Sequence, residues 1–203
     1  MKYRKLVENA KKPNGFWGKM MIKAMNKGHS SLTSWGLEHM NIERTATVLD
    51  IGCGKTVDRL CSIVANGKVY GIDYSELSVK SSEKLNSKNI LCNKAKILQA
   101  SVSDMPFDDN TFDNITAVET YYFWPDKEND VKEVFRVLKQ GGTVMLLFEM
   151  LRTDDDPFKW EKVENMLNIK SVTPQEIRSV LESAGFENIN TYTKEGTTWL
   201  CAT

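Results

Sequence analysis

Short apolar runs alternate with amphipathic helical patterns from residue 46 onward. Five runs have the length and composition of β-strands: TATVLDI, GKVYGID, AKILQAS, FDNITAV and TVMLLFE. The last is apolar throughout, which is typical of a strand in the middle of a parallel sheet. Between the runs, apolar residues recur at i, i+3, i+4 and i+7, as in KTVDRLCSIV, and this spacing indicates helices. The alternation predicts a doubly wound α/β fold.

The helical stretches carry local start signals. Ser75 can cap SELSVKSSEKLNSK, and Thr173 with Glu176 forms a capping box at the start of TPQEIRSVLESAGF. A shorter helix is expected at 160–167. The clearest helix, DKENDVKEVFRVLKQGG, begins at Asp126 and should bury one apolar face, made of Val131, Val134, Phe135 and Leu138.

The chain ends in two strand-like stretches around a Glu195-Gly196 turn, ENINTYTKEGTTWLCAT. Two short strands separated by such a turn predict an antiparallel hairpin. Together with the five preceding strands, the hairpin gives a Rossmann-like, seven-stranded mixed sheet with helices on both faces.

The first 45 residues differ from the rest in being rich in Met and Trp. We therefore divide the chain into an N-terminal helical lid, residues 1–45, and an α/β domain, residues 46–203. A helical pattern in the lid places five residues on one face: Phe16, Trp17, Met20, Met21 and Ala24. Such a face packs on the sheet edge or core, or it covers a ligand site, since Met-rich surfaces adapt to irregular apolar shapes.

Charge and cysteine content exclude several classes of protein. The chain has 27 basic and 27 acidic residues, which argues against a general nucleic-acid or anionic-membrane binder, although a local basic patch stays open. No apolar run approaches the roughly 20 residues of a membrane span, and the first 15 residues lack the apolar core of a secretory signal. The four cysteines form no CxxC pair, so we expect no structural zinc and a cytoplasmic protein with reduced thiols.

The stretch VLDIGCGKTVDRL contains the residue pattern of a nucleotide-binding turn. A P-loop would need a glycine five positions before Gly54, where Leu49 stands, and we reject it. A dinucleotide fingerprint would need a third glycine where Val57 stands, although a nicotinamide-dependent enzyme stays open.

Four motifs in order carry a family resemblance: VLDIGCG, VYGIDYS, ASVSDMPFDDNTFDNITAVET and LKQGGTVMLL. They resemble those of class I S-adenosylmethionine-dependent methyltransferases of the Methyltransferase-11 type, over about residues 46–150. The C-terminal helix and hairpin match that family's last two strands. The resemblance implies S-adenosylmethionine as cofactor, S-adenosylhomocysteine as product and a small or medium-sized acceptor molecule, in a monomer or homodimer. The alternative is a non-catalytic Rossmann-type protein that binds the cofactor or a partner.

The ligand's chemistry explains the residue types that the resemblance assigns to the cofactor. Its carboxylate suits the backbone N–H groups of a glycine turn, and Gly52 and Gly54 let the backbone approach closely and adopt positive φ. Asp50 anchors the loop or, through water, binds the ligand's ammonium. Asp73 is implied to accept the ribose hydroxyls, although a charge at a helix N-terminus is the other interpretation. The full implied set is Asp50, Gly52, Cys53, Gly54, Thr56, Asp73, Tyr74, Ser101, Val102, Val118 and Glu119.

The adenine end departs from the family pattern at one position. Tyr74 is expected against the adenine face, and Ser101 and Val102 match the residues that flank the adenine edge. An aspartate commonly stands in place of Ser101, so one adenine contact is weakened in this chain. A turn at the end of a strand is the alternative role of Ser101.

The acceptor is expected near AVETYYFWPD, after the fourth strand. Tyr121 and Tyr122 are the candidate catalytic residues because they can hydrogen-bond a substrate or present π faces to the transferred methyl group, and plain packing is the alternative. Phe123 and Trp124 are expected to pack against the next helix. His29 either reaches the acceptor or has a surface or capping role. The sequence shows no Ser–His–Asp set and no metal-ligand set.

The junction of Gly54 with Lys55 is short by comparison with the family, which places a further glycine-containing step there, as in GCGGGKT or GCGTG. A real shortening would remove donors from the carboxylate site, at about 1.5–3 kcal/mol for each lost hydrogen bond to a charged group. The other explanation is a mobile glycine loop missing from the sequence at this point. We favour it because Thr56 onward forms a good helix in register with the family.

Overall fold

A seven-stranded sheet forms the centre of the computed structural model, which describes residues 9–203. The strand order is β3-β2-β1-β4-β5-β7-β6. The first five strands are parallel, and β7 pairs antiparallel with both β5 and β6, which confirms the mixed sheet with a C-terminal hairpin. The strands are Thr47–Ile51 (β1), Lys68–Asp73 (β2), Ala95–Gln99 (β3), Phe112–Val118 (β4), Leu138–Phe148 (β5), Thr191–Thr193 (β6) and Leu200–Ala202 (β7).

Helices cover both faces of the sheet, as predicted. Alternate residues of β1 point to opposite faces, so Val48 packs with α3 and α4, whereas Leu49 packs with α6 and α8 on the other side. The helices are Gly15–Gly28 (α1), Ser30–Leu37 (α2), Thr56–Ile63 (α3), Glu76–Leu85 (α4), Ser87–Leu91 (α5), Lys127–Val137 (α6), Glu161–Leu167 (α7) and Pro174–Ser183 (α8). No helix among the described residues is long and apolar enough to cross a bilayer.

The predicted helix starts are confirmed. The side chains of Ser75 and Asp126 accept hydrogen bonds from backbone N–H groups in the first turns of α4 and α6. Thr173 and Glu176 form both bonds of the capping box at the start of α8. These local bonds satisfy N–H groups that have no partner inside a helix, which is why the sequence signals them reliably.

The end of α6 was predicted wrongly. The helix stops at Val137, and Leu138 already belongs to β5. The buried face of α6 includes Val131, Val134 and Val137. Phe135 lies outside this face and is 44% exposed. The ring of Phe135 instead packs edge-on against Phe186, with ring centroids 5.0 Å apart.

The N-terminal helices pack on the face of the sheet that α3 and α4 also cover. Helix α2 lies so close to β5 that a Cβ added at Gly36 would be 2.5 Å from a methyl group of Leu147. Helix α1 packs against α4 in a similar way, since a Cβ on Gly18 would be 2.9 Å from a methyl group of Leu77. Glycine at these two positions allows the close approach and fixes which side of α1 faces inward.

The predicted contact face of α1 is wrong. Phe16 is 70% exposed and Met20 is 51% exposed, while Trp17 and Ala24 are also exposed and Met21 is half-buried. The close packing at Gly18 turns this apolar face outward. A different side of α1 faces the interior space described below, through Ile22, Met25 and Asn26.

Candidate cofactor and acceptor site

A cavity of about 520 Å³ opens at the carboxyl ends of β1, β2 and β4. Strand β1 lies between β2 and β4, so the winding of the sheet reverses beside it, and ligands of doubly wound folds bind at such points. The volume is within the range of small-molecule sites. Its walls include Gly52, Cys53, Gly54, Thr56, Asp73, Tyr74, Ser101, Val102, Val118 and Glu119, which are all but one of the predicted cofactor residues.

The glycine turn after β1 is folded tightly against its neighbours. Gly52 has φ +76°, and a Cβ added to it would lie 2.1 Å from Cγ2 of Thr120. The N–H groups of Gly52 and Cys53 both donate to the carbonyl of Ile72, at 2.8 and 3.0 Å. Glycine is therefore required at position 52 by both the backbone conformation and the space.

The second glycine of the turn has a different role from the one predicted. Gly54 is not among the residues with positive φ, so its expected left-handed conformation is wrong. A Cβ there would lie 2.7 Å from Oδ1 of Asn26, whose helix crosses the turn. Gly54 thus makes room for a side chain of α1.

The shortening of the turn is real, and the prediction of a missing glycine loop is wrong. Gly54 and Lys55 are consecutive in the 203-residue chain, and Lys55 has helical dihedral angles as the N-cap of α3. The turn passes directly into the helix. The turn consequently has fewer backbone N–H donors than the family pattern provides.

Asp50 lies beneath the turn and is fully buried, outside the cavity wall. Its Oδ1 accepts a hydrogen bond from Thr116 Oγ1 at 2.7 Å, whereas its Oδ2 has no hydrogen-bond partner among the described residues. Burial raises the pKa of Asp50 to about 7, against the opposing effects of the Thr116 hydroxyl and the Gly54 amide. A buried carboxylate oxygen without a partner suits a nearby positive group, directly or through water.

Asp73 ends β2 and lines the cavity. Its Oδ1 accepts the N–H of Ser75 at 2.8 Å, so the role at the start of α4 is present in the structure. Burial raises the pKa of Asp73 to about 6, which indicates that the carboxylate is poorly solvated. Both interpretations of Asp73 remain compatible, because a carboxylate has lone pairs beyond the one that Ser75 uses.

Tyr74, next to Asp73, lies between the cavity and the N-terminal segment. Its hydroxyl donates to the carbonyl of Lys11, and Lys12 Nζ lies 5.5 Å from the ring centroid. Burial raises the pKa of Tyr74 to about 12, so the hydroxyl stays a donor at neutral pH.

The two predicted adenine-edge residues both line the cavity. Ser101 also forms the predicted turn, since its Oγ accepts the N–H of Ser103 at 3.2 Å and its backbone pairs with Asp104. Val102 is buried beside it and contributes to the core.

Three ionisable side chains meet near the carboxyl ends of β4 and β5: His29, Glu119 and Glu149. His29 Nε2 is 3.9 Å from a carboxylate oxygen of Glu149, and the possible ligand atoms of all three lie within 4.8 Å of one another. Glu119, at φ +59°, accepts the backbone N–H of Glu149. Burial raises the pKa of Glu119 to about 8 and lowers the pKa of His29. The sequence did not indicate this cluster, because His29 and Glu149 are 120 positions apart.

Tyr121 and Tyr122 lie in the core rather than in the cavity wall, which agrees with the packing alternative and not with the pocket-lining one. Tyr121 packs edge-on against Phe148, and the hydroxyl oxygen of Tyr122 accepts the N–H of Met150 at 3.1 Å. The short 3₁₀ helix Tyr121–Phe123 turns both rings inward.

The cavity wall also contains residues that the sequence placed elsewhere or did not indicate at all. Phe123 and Trp124, expected to pack on the next helix, line the cavity, and Asn26 reaches it from α1. The aromatic run after β4 gave a signal for the first two. No local pattern signals Asn26, whose partner Lys55 is 29 positions away.

Comparisons with known proteins agree with this geometry. The Methyltransferase domain family matches residues 49–146 of the chain. The ubiquinone/menaquinone biosynthesis C-methyltransferase UbiE of Cronobacter sakazakii is 30% identical over 181 residues, which cover 76% of this chain and 72% of that protein. The chain belongs to the class I S-adenosylmethionine-dependent methyltransferase family. The glycine turn is therefore that of a methyltransferase family rather than that of a nicotinamide-dependent enzyme.

Other relatives are matched over different shares of their length. The uncharacterized methyltransferase YdaC of Bacillus subtilis is 24% identical over 164 residues, which cover 80% of this chain and 83% of YdaC. A demethylmenaquinone methyltransferase of a Geobacillus strain is 32% identical over 114 residues, or 55% of this chain, but only 48% of that protein is covered. The chain thus spans about half of that relative.

Solved structures share the fold at low sequence identity. A methyltransferase from Aquifex aeolicus superposes with a TM-score of 0.66 at 21% identity, covering 89% of this chain and 94% of the other. The [4+2]-cyclase SpnF also matches, with a TM-score of 0.65 at 20% identity over 83% of this chain and 61% of its own. The same fold therefore occurs in proteins named for different reactions.

Proposed function

We propose that this protein transfers a methyl group from S-adenosylmethionine to a small or medium-sized acceptor. The observation that carries the proposal is the cavity at the switch point, with the Gly52 turn on one side and Asp73 on the other. When bound, S-adenosylmethionine supplies an activated methyl group on a positively charged sulfur. The chain's own residues bind, orient and desolvate the reactants.

Three buried carboxylates in or beside the cavity wall favour a cationic group close to them. Burial raises the pKa of Asp50 to about 7, of Asp73 to about 6 and of Glu119 to about 8. Each carboxylate is poorly stabilised in its ionised form, so a positive charge nearby would restore its ionisation. The cofactor carries an ammonium and a sulfonium, and this supports its assignment to the cavity.

The nucleoside end is assigned to the wall at the end of β2. Asp73 is proposed to accept hydrogen bonds from the ribose hydroxyls, with Tyr74 against the adenine and Ser101 and Val102 at its edge. The first 45 residues, of which 1–8 lie outside the described part of the chain, are proposed to act as a lid. The cavity-lining residues of α1 and the bond from Tyr74 to Lys11 support this for the described part.

The acceptor is assigned to the end of the cavity lined by Glu119, His29, Phe123 and Trp124. The two aromatic side chains exclude water from the transfer, which favours displacement at a sulfonium. Glu119 is proposed to take a proton from the acceptor, since burial places its pKa within reach of neutral pH. This favours acceptors that lose a proton as they are methylated.

The primary test is binding of S-adenosylmethionine and S-adenosylhomocysteine, measured by calorimetry and thermal shift. Heat and a raised melting temperature are expected with both. Absence of both signals at millimolar ligand would contradict the proposed function. A screen of metabolites for S-adenosylhomocysteine formation then identifies the acceptor.

A non-catalytic binding protein is the second candidate. The shortened turn and the inward position of Tyr121 and Tyr122 favour it, because both features remove groups that were predicted for the site. The two candidates differ in one result. The enzyme forms S-adenosylhomocysteine in the presence of a cell extract, whereas the binding protein takes up the cofactor without turnover.

Replacing Asp73 with alanine should weaken S-adenosylhomocysteine binding by roughly 1.5–3 kcal/mol, because charge-assisted bonds to the ribose are lost. Calorimetry measures the change directly. Asp154→Ala, in an exposed loop outside the cavity, is the matched control and should leave the affinity unchanged. Equal affinities for the two variants would exclude Asp73 from the ribose role.

Replacing Glu119 with glutamine should lower kcat/KM by roughly 10²-fold or more, the usual contribution of a positioned base. In the parent protein, kcat/KM should rise with pH up to an apparent pKa of about 8, since Glu119 acts as a base only when deprotonated. This limb should be lost in the variant. A Glu119→Gln variant with the same pH limb would show that another group takes the proton.

A further inference from the structure

The shortened turn leaves few backbone donors for a carboxylate. The N–H groups of Gly52 and Cys53 are both directed to the carbonyl of Ile72, so they face β2 rather than the cavity. The N–H of Lys55, the next donor along the chain from Gly54, is bound at 3.0 Å to Oδ1 of Asn26. With these three N–H groups taken, a ligand carboxylate at this turn is left with the uncapped first-turn N–H groups of α3 and with donors from elsewhere in the chain.

Asn26 lies where it can supply such a donor. Its side chain lines the cavity and sits on the turn, with Oδ1 2.7 Å and Nδ2 3.8 Å from the position of a Cβ on Gly54. The bond from Lys55 fixes Oδ1 as the acceptor and orients the amide plane. The Nδ2 group, with two N–H donors, then remains as the part of the amide that can bind an anionic oxygen.

Neighbouring contacts hold α1 and α2 over the turn. The guanidinium of Arg59, on α3, donates to the hydroxyls of both Ser30 and Ser34 on α2. On the other side, Ser75 Oγ donates to the carbonyl of Pro13, just before α1. These bonds fix the position of α1, and therefore of Asn26, in addition to the bond that Asn26 accepts from Lys55.

We propose that Asn26 replaces the missing part of the glycine turn and binds the carboxylate of the cofactor. This inference rests on the proposed function. It means that residues of both α1 and the α/β domain form the cofactor site. It also explains why position 54 is glycine without a positive φ: any side chain there would displace the Asn26 amide.

The test compares two ligands that differ only at the amino-acid end. S-adenosylhomocysteine carries the carboxylate, whereas 5′-methylthioadenosine has the same adenine, ribose and sulfur without it. Asn26→Ala should weaken S-adenosylhomocysteine binding at least about tenfold, the loss expected for one hydrogen bond to a charged group, and leave 5′-methylthioadenosine within about twofold. Asn26→Asp should weaken the first ligand further, because it places a carboxylate against a carboxylate. Lys23→Ala, exposed on the same helix, is the control and should change neither affinity.

A rescue experiment separates loss of a donor from general damage. Inserting two glycines between Gly54 and Lys55 of Asn26→Ala should restore S-adenosylhomocysteine affinity, because the longer turn regains free N–H groups. If the parent protein binds neither ligand, the proposed function itself fails. If it binds both and Asn26→Ala weakens them equally or not at all, the role of Asn26 is excluded while the proposed function stands.

Discussion

Replacing Gly52 with alanine is expected to lower the free energy of unfolding by roughly 2–4 kcal/mol, through a strained φ and overpacking together. The added methyl group would lie 2.1 Å from Cγ2 of Thr120, whose hydroxyl donates to the carbonyl of Ile51. The turn must therefore shift, and S-adenosylhomocysteine affinity should fall with it. Chemical denaturation and calorimetry measure the two effects.

Two further variants separate the causes of this loss. Gly141 has the same φ of +76°, but a Cβ there would meet nothing within 4 Å, so Gly141→Ala should cost only about 1 kcal/mol for the strained φ. Thr120→Ser keeps the hydroxyl and removes Cγ2, and it should recover part of the stability in combination with Gly52→Ala. Equal losses for the two alanine variants would show that the contact with Thr120 is unimportant.

Replacing Asp50 with asparagine should stabilise the ligand-free protein at pH 8 by up to about 4 kcal/mol, because its pKa is raised by about three units at about 1.4 kcal/mol for each. The folded pKa of about 7 lies above the unfolded value of 3.8, so native Asp50 holds its proton more tightly than the unfolded chain does. Its contribution to stability is therefore full below pH 4 and is lost as the pH rises through 7. Asparagine keeps an acceptor for Thr116 and has no charge to bury, although its buried N–H groups lack a partner and offset part of the gain at every pH.

The measurement is urea denaturation at pH 4 and pH 8, with Asp113→Asn as a control of opposite sign. Lys139 and the N–H of Thr47 both bind Asp113, and its pKa is lowered, so its loss should destabilise the protein at pH 8. The stabilising change at Asp50 should at the same time weaken S-adenosylmethionine binding roughly tenfold, if the carboxylate serves the ligand's ammonium. An Asp50→Asn variant that is destabilised equally at both pH values would contradict this account.

The fold was predictable because its signals are local. Strand alternation, the capping box at Thr173 and the hairpin turn at Glu195-Gly196 each depend on neighbouring residues, and the sheet confirms them. The end of α6 was not predictable in the same way. Leu138 continues the helical spacing, and the glycines that usually follow a helix come only at Gly141 and Gly142, inside β5, so the pattern did not mark where the helix stops.

The sequence predicted those parts of the candidate site that a single motif forms. The turn at Gly52 and the end of β2 at Asp73 face the cavity as the motifs indicated. The group formed by His29, Glu119 and Glu149 was not, because it depends on how α1 lies over two strands. The orientation of α1 in turn follows from close packing at a glycine, which a pattern of apolar residues does not encode.

The helices that cover the cavity, α1 and α2, are held by contacts at both ends of the pair. Before α1, Tyr74 and Ser75 bind the carbonyls of Lys11 and Pro13, and beyond α2 the ring of His39 stacks on Tyr192 at 4.1 Å. We expect the opening of these contacts to control how fast a bound nucleoside leaves the cavity. If the proposed function holds, we expect product departure to limit turnover, and a pre-steady-state burst would be its kinetic signature.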